Sequence, residues 1–198
     1  MACDISKGRG YFCGGQVGGI KKIYLASYFD GEKINCDGIT TDANGIVTDV
    51  CVNAPDCDGV QNFYEFDLDR QLSSFNQTIV TGSGGAVVYQ QELELHMSHD
   101  SNESWLRMQN IVEGLYYGFV LDNNGVYYFV GLCNGLQVTG GTYAHGGDVA
   151  YTDYVGYVLT MSGAEPVPAF NFGTTFPMIS YTSGQLDYQE TQYNTPQT

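Results

Sequence analysis

Basic residues are the scarcest large class in this chain: seven Lys and Arg stand against 22 Asp and Glu, giving a formal charge of −15 at pH 7. A surface that grips a nucleic-acid duplex needs clustered cations to displace counterions, so this composition excludes it for the chain as a whole. Histidine is scarcer still, at three residues, which leaves acid-base catalysis few candidate groups. No apolar run approaches the roughly 18 to 20 residues of a membrane-spanning helix, so no membrane partner is expected. The opening MACDISKGRGYF has no apolar segment after its first charges, and no secretory leader is expected. The six cysteines, Cys3, Cys13, Cys36, Cys51, Cys57 and Cys133, are accordingly expected to be reduced in a protein made in a cytoplasm.

What is abundant points to strands. The chain has 26 glycines, 16 tyrosines and a single tryptophan, a mix that suits short strands and tight turns and predicts a mainly β fold. Its 198 residues, 43% of them hydrophobic, are enough for one core. Charge is unevenly spread: Lys7, Arg9, Lys21, Lys22 and Lys33 all fall in the first 33 positions, opposed there only by Asp4, Asp30 and Glu32. Residues 1–19 read as a Gly-rich N-terminal arm, 20–170 as the β domain, and 171–198 as a C-terminal arm or flexible tail. Within the domain, IKKIYLASY (20–28) reads as a strand, and TDANG and NAPDCDG bracket another at 46–52. NFYEFDLDRQLSSFNQ and AVVYQQELELHMS, joined by the tip VTGSGG, predict one long antiparallel hairpin. In YEFDLDR, Glu65, Asp67 and Asp69 share one face and Tyr64, Phe66 and Leu68 the other. With Glu92 and Glu94 they predict a wall of five carboxylates, with no base opposite.

SNESWLRMQNIVEGL carries Trp105, Met108, Ile111, Val112 and Leu115 at helical spacing, with Asp100 and Glu103 placed as a cap pair and Gly114 or Gly118 as terminators. DNNG marks a second hairpin. LQVTGGTYAHGGDVAYTDY reads as irregular, and YVGYVLTMSG as a last strand.

Chemical motifs are sparse. Counting a calcium loop from Ala54 places Asp56, Asp58, Gly59 and Glu65, but position 1 is not acidic and the flanks are not helices; a turn accounts for PDCDG. His96 and His99 lack a third zinc ligand. His145 with Asp148 has no paired nucleophile, and CGGQVGG lacks the Lys-Ser/Thr ending of a phosphate loop. No catalytic residue, metal or cofactor is expected. The alternative to a structural role is a monomeric acidic β domain that binds carbohydrate or calcium.

The order of elements, from basic arm through acidic-faced hairpin, helix and DNNG hairpin to DYVGYVLTMSGAEPVPAF, resembles that of tail tube proteins of long-tailed bacteriophages. The residues carrying the likeness are Gly156, Tyr157, Leu159, Thr160, Gly163, Glu165, Pro168 and Ala169, within residues 60 to 170. The resemblance implies a β-sandwich or barrel with one flanking α-helix, whose long hairpin contributes to an inner barrel shared among subunits. It implies a structural virion protein, assembled in the host cytoplasm, that forms stacked hexameric rings and associates with other tail proteins. Double-stranded DNA would pass through the lumen without specific binding. Glu65, Asp67, Asp69, Glu92 and Glu94 would line that lumen; Lys7, Arg9, Lys21, Lys22, Gly82, Gly84 and Gly85 would contact neighbouring subunits.

Overall fold

The computed structural model describes residues 17–28, 34–43, 45–52, 63–82, 84–98, 111–145 and 155–174. The strands there are β1 (Ile20–Ser27), β2 (Ile34–Thr41), β3 (Val47–Val52), β4 (Tyr64–Asp67), β5 (Ser74–Thr81), β6 (Val87–Ser98), β7 (Leu115–Asp122), β8 (Tyr127–Val130), β9 (Leu136–His145), β10 (Val155–Glu165) and β11 (Phe170–Gly173). Nine form one antiparallel sheet, in which β11-β8-β7-β9-β10-β6-β5 is the main path and β1 joins β7 to β4. β2 and β3 make a separate hairpin. The molecule is mainly β, as its composition predicts.

The sheet changes partners at β7. Along Gly118–Leu121 this strand pairs with β8, while only Leu115 and Tyr116 pair with β9. β9 then continues beside β10 instead. Two groups of strands result, β4-β1-β7-β8-β11 and β9-β10-β6-β5, and one apolar cluster joins them. Ile23, Leu25, Leu68, Val120 and Val130 from the first group meet Leu93, Leu95, Met97, Tyr157, Leu159 and Met161 from the second.

β1 and β7 are buried on both faces, which is why IYLA and YGFVL are continuous apolar runs without alternation. Their second face, with β8 and β11, carries Tyr24, Tyr117, Phe119, Phe129 and Phe172, and Ile39 and Val47 of the β2–β3 hairpin pack against it. Phe119 and Phe129 meet edge to face, 4.5 Å between ring centroids, the geometry favoured by aromatic quadrupoles.

Several expectations are corrected. The long hairpin is shorter: β5 pairs with β6 from Ser74↔Glu94 to Thr81↔Val87, but β4 pairs with β1. A turn at Asp69–Ser73 separates them, with Ser73 N–H donating to the Asp69 carbonyl at 2.9 Å. Residues 136–145, read as irregular, form β9, because ladder bonds to β10 override weak intrinsic propensity. The glycines there have a packing reason: a Cβ on Gly141 would lie 2.8 Å from Leu159 Cδ2. Of the expected helix, Ile111–Glu113 are helical and Leu115 already belongs to β7; residues 101–110 lie outside the described residues. β11 at Phe170–Gly173 extends the sheet, with Phe172 buried. The β7–β8 hairpin at DNNG and the strands at β1, β3 and β10 stand where the sequence places them.

The turn from β8 into β9, Gly131–Gly135, is held by a buried carboxylate. Glu165, only 1% exposed, accepts the backbone N–H groups of Cys133 at 2.8 Å, Asn134 at 3.0 Å and Gly135 at 3.2 Å. Gln91, equally buried, accepts the Gly131 N–H at 2.9 Å. Gly131 and Gly135 take positive φ, 68° and 83°, where side chains are disfavoured. Tyr28 donates its hydroxyl to the Cys133 carbonyl. Cys133 is also disulfide-bonded, to a partner outside the residues whose side chains are described, which corrects the expectation of six reduced cysteines.

Burial pushes the Glu165 pKa above its ordinary value of 4.5, against the opposing pull of the three N–H donors. The stability this proton uptake contributes is complete below the ordinary value and is lost as pH rises through the folded-state value. Urea unfolding at pH 4 and pH 7 tests the sign: wild type loses stability relative to Glu165→Gln as pH rises. Glu165→Ala strands three N–H groups and is expected to cost about 2–4 kcal/mol at either pH.

Candidate functional site: a polar face without Lys or Arg between two strand edges

Alternation gives the second strand group one face toward the core and one toward solvent. On β6, Gln91, Leu93, Leu95 and Met97 are buried while Glu92 and Glu94 are exposed. On β10, Tyr157, Leu159 and Met161 are buried, so Val158, Thr160 and Ser162 point outward. Register carries this face across the group, because directly paired residues share a side. Ser74 pairs with Glu94 and Asn76 with Glu92, while Thr160 pairs with both Glu94 and Gly140, and Thr142 with Val158. The face therefore consists of hydroxyls, amides and two carboxylates interspersed with Val80, Val88 and Val158, with His96 beside Glu94 at 3.1 Å. None of the four strands contains Lys or Arg.

The expected wall of five carboxylates is not assembled. Phe66 and Leu68 pack into the shared cluster, so Glu65 and Asp67 leave β4 on its other side, away from Glu92 and Glu94. They also have a base opposite: Lys22 of β1 binds Glu65 and lies 3.3 Å from Asp67. Partial burial pulls the Lys22 pKa down, but the hydrogen bond to Glu65 and the charges of Glu65 and Asp67 outweigh it, and the net shift is upward. Asp69 has a third role, its carboxylate accepting the Gln71 N–H at 3.1 Å within the turn. Sequence reading missed Lys22 because β1 and β4 are some 40 residues apart, and no local pattern announces their pairing.

Among the proposed subunit contacts, Lys22 is thus engaged within the chain, and Lys21 accepts the Leu68 N–H on its carbonyl at 3.0 Å. Lys7 and Arg9 lie outside the described residues. The tip between β5 and β6 is a turn in which Gly82 N–H donates to Ala86 at 2.8 Å and Gly85 N–H to Gly82 at 3.0 Å. Nothing lies within 4 Å of a Cβ position at Gly84 or Gly85, so the tip is open. Asn124 grips the base of the N-terminal arm, its carboxamide pairing with both the N–H and the carbonyl of Val17 at 3.0 Å. Asn123 adds bonds to the carbonyls of Gly18 and Arg70.

The four-stranded group has two open edges. Among the described residues, β5 pairs only with β6, and β9 beyond Gln137 pairs only with β10. Beside the β9 edge lies a cleft of about 450 Å³ lined by Val112, Glu113, Val138–Tyr143, Tyr157 and Leu159, where Tyr143 stacks on Tyr157 at 4.7 Å.

Among the described residues no group of three or more His, Cys, Asp or Glu side chains could hold a metal ion, and no helix is long and apolar enough to cross a membrane. The DCDG loop, His99 and Asp148 lie outside the described residues.

Removing the Lys22 ammonium leaves Glu65, whose side chain is 16% exposed, without its counter-charge. Lys22→Met is expected to lower unfolding free energy by about 1 kcal/mol, with half or more of that recovered when Glu65→Gln is added; a double-mutant cycle in urea reads the coupling. No known protein family, curated protein or solved structure matches the chain.

Proposed function

We propose that this chain is a structural virion protein that builds the tail tube of a long-tailed bacteriophage, as stacked hexameric rings whose lumen conducts DNA during ejection. The observation that carries the reading is the polar face of β9-β10-β6-β5, which carries no Lys or Arg. A channel for DNA must be wetted yet must not hold the duplex, which carries one charge per roughly 1.7 Å. Hydroxyls and amides supply the wetting, and Glu92 and Glu94 supply the repulsion. In this reading the two strand groups are the layers of a β-sandwich, with the second group facing the lumen. Glu65 and Asp67, directed elsewhere and neutralised in part by Lys22, are dropped from the lumen wall. Element order in the sequence supports the same family, and the hexameric count rests on that likeness.

Negative-stain electron microscopy of the purified chain tests the proposal. Rings or tubes with an axial channel are the expected outcome, and a monodisperse monomer at every concentration would refute it. Within such assemblies, Glu92→Lys with Glu94→Lys is expected to preserve the rings and make them retain duplex DNA in a gel-shift assay at low salt. The retention should fade steeply as salt rises.

A further inference from the structure

Resting on that ring reading, the geometry points to a specific junction between copies: β5 of one chain adds antiparallel to the open edge of β9 in the next, and Ile79 enters the cleft beside it. Edge strands of stable monomers are blunted by charge, proline, a bulge or a cover. Among the described residues β5 has none of these. Its sequence, SFNQTIVT, has no charged residue or proline, its register with β6 is unbroken, and Ile79 is 63% exposed. The edge of β9 is matched in length, from Val138 to His145, and nothing lies within 4 Å of a Cβ position at Gly140, so a neighbouring backbone can approach there.

Direction follows from strand count. β5, β6, β10 and β9 alternate up and down, so four strands place β5 and β9 in opposite senses. Copies related by rotation about an axis along the strands then meet antiparallel, continuing the sheet without a break. The interface is heterologous, and such interfaces form rings where the rotation between copies closes. A two-fold dimer would instead join β5 to β5 or β9 to β9.

Register follows from side. Paired residues must share a face, so a slip can occur only in steps of two. Phe75 and Gln77, opposite Leu93 and Gln91, set the core side of β5, which Ile79 continues; Gly141, opposite Leu159, is on the core side of β9. Pairing Ile79 with Gly141 brings the isoleucine against the cleft walls formed by Val112, Tyr157 and Leu159. The same register puts Thr78 opposite Thr142, both on the polar face and both exposed.

Two single variants, Thr78→Cys and Thr142→Cys, are mixed, assembled and mildly oxidised with diamide, and the linked peptides are identified by mass spectrometry. Because each chain carries one new thiol, a 78–142 linkage can arise only between chains. That linkage is expected, and Thr78→Cys alone should give no 78–78 dimer. Joining both substitutions in one chain should give a ladder of oligomers ending at the closed ring. Ile79→Lys should abolish assembly while leaving the circular dichroism and thermal midpoint of the monomer unchanged. Rings seen by microscopy without the 78–142 linkage, a 78–78 dimer, or undiminished assembly of Ile79→Lys would each overturn this junction and leave the tube reading standing. A chain that never assembles would overturn both.

Discussion

The Glu165 carboxylate is the constraint on which the arrangement of strands depends. At the end of β8 the chain must leave the first strand group and enter the second within the five residues Gly131–Gly135. A turn that tight and that buried points several backbone N–H groups inward, where each needs a partner. Glu165 meets three of them from the end of β10, so one side chain both satisfies the turn and fixes it to the strand beside which β9 must run. Gln91 on β6 takes a fourth. Its neighbour Gln77 on β5 accepts the Ala169 N–H at 2.7 Å, extending the same polar seam to the chain leading into β11. The apolar clusters supply most of the buried area, but they are tolerant of small shifts. The hydrogen-bonded seam specifies where the two groups join.

That joint decides which faces see water. β1 and β7 sit between the shared cluster and the aromatic cluster, so neither has a solvent face to carry function. β6 and β10 have one cluster on one side only, and their other side is free to be chosen by something besides packing. Hydroxyls, amides and two carboxylates occupy it. Among the described residues the same placement leaves β5, and β9 beyond Gln137, as open edges, so the polar face and the two edges belong to one structural unit.

Much of this was legible locally. Strict alternation in QELELHM announced both the buried and the exposed side of β6, and DNNG announced the β7–β8 turn. What misled was long-range pairing. YEFDLDR alternates as well as any strand in the chain, yet the pattern does not say which strand it pairs with, and β1 claimed it through Lys22. β9 looked irregular because its paired glycines have little intrinsic pull toward a strand; β10 supplies the ladder that orders them. The hydrogen-bonding roles of Glu165 and Gln91 had no local signal, because a polar side chain on a strand looks solvent-exposed until the turn it serves is known.

The electrostatic cost of the polar face argues for its composition. Glu92 and Glu94 lie two residues apart on one side of a strand, about 7 Å, and at that spacing repel by roughly 0.6 kcal/mol in water. Ionic screening over about 8 Å reduces this further. Ring assembly as proposed would set each such pair beside those of neighbouring copies around a narrow lumen, where less water screens them. A wall with five carboxylates per chain would multiply that penalty and work against its own assembly. In that reading two per chain, spaced by Ser, Thr, Asn and Gln, would keep the repulsion felt by a passing polyanion while limiting the repulsion the ring must withstand. Of the carboxylates that sequence alone would have added to the wall, Glu65 and Asp67 are held on β4 against Lys22, where their charge is partly offset, and Asp69 serves the turn that follows.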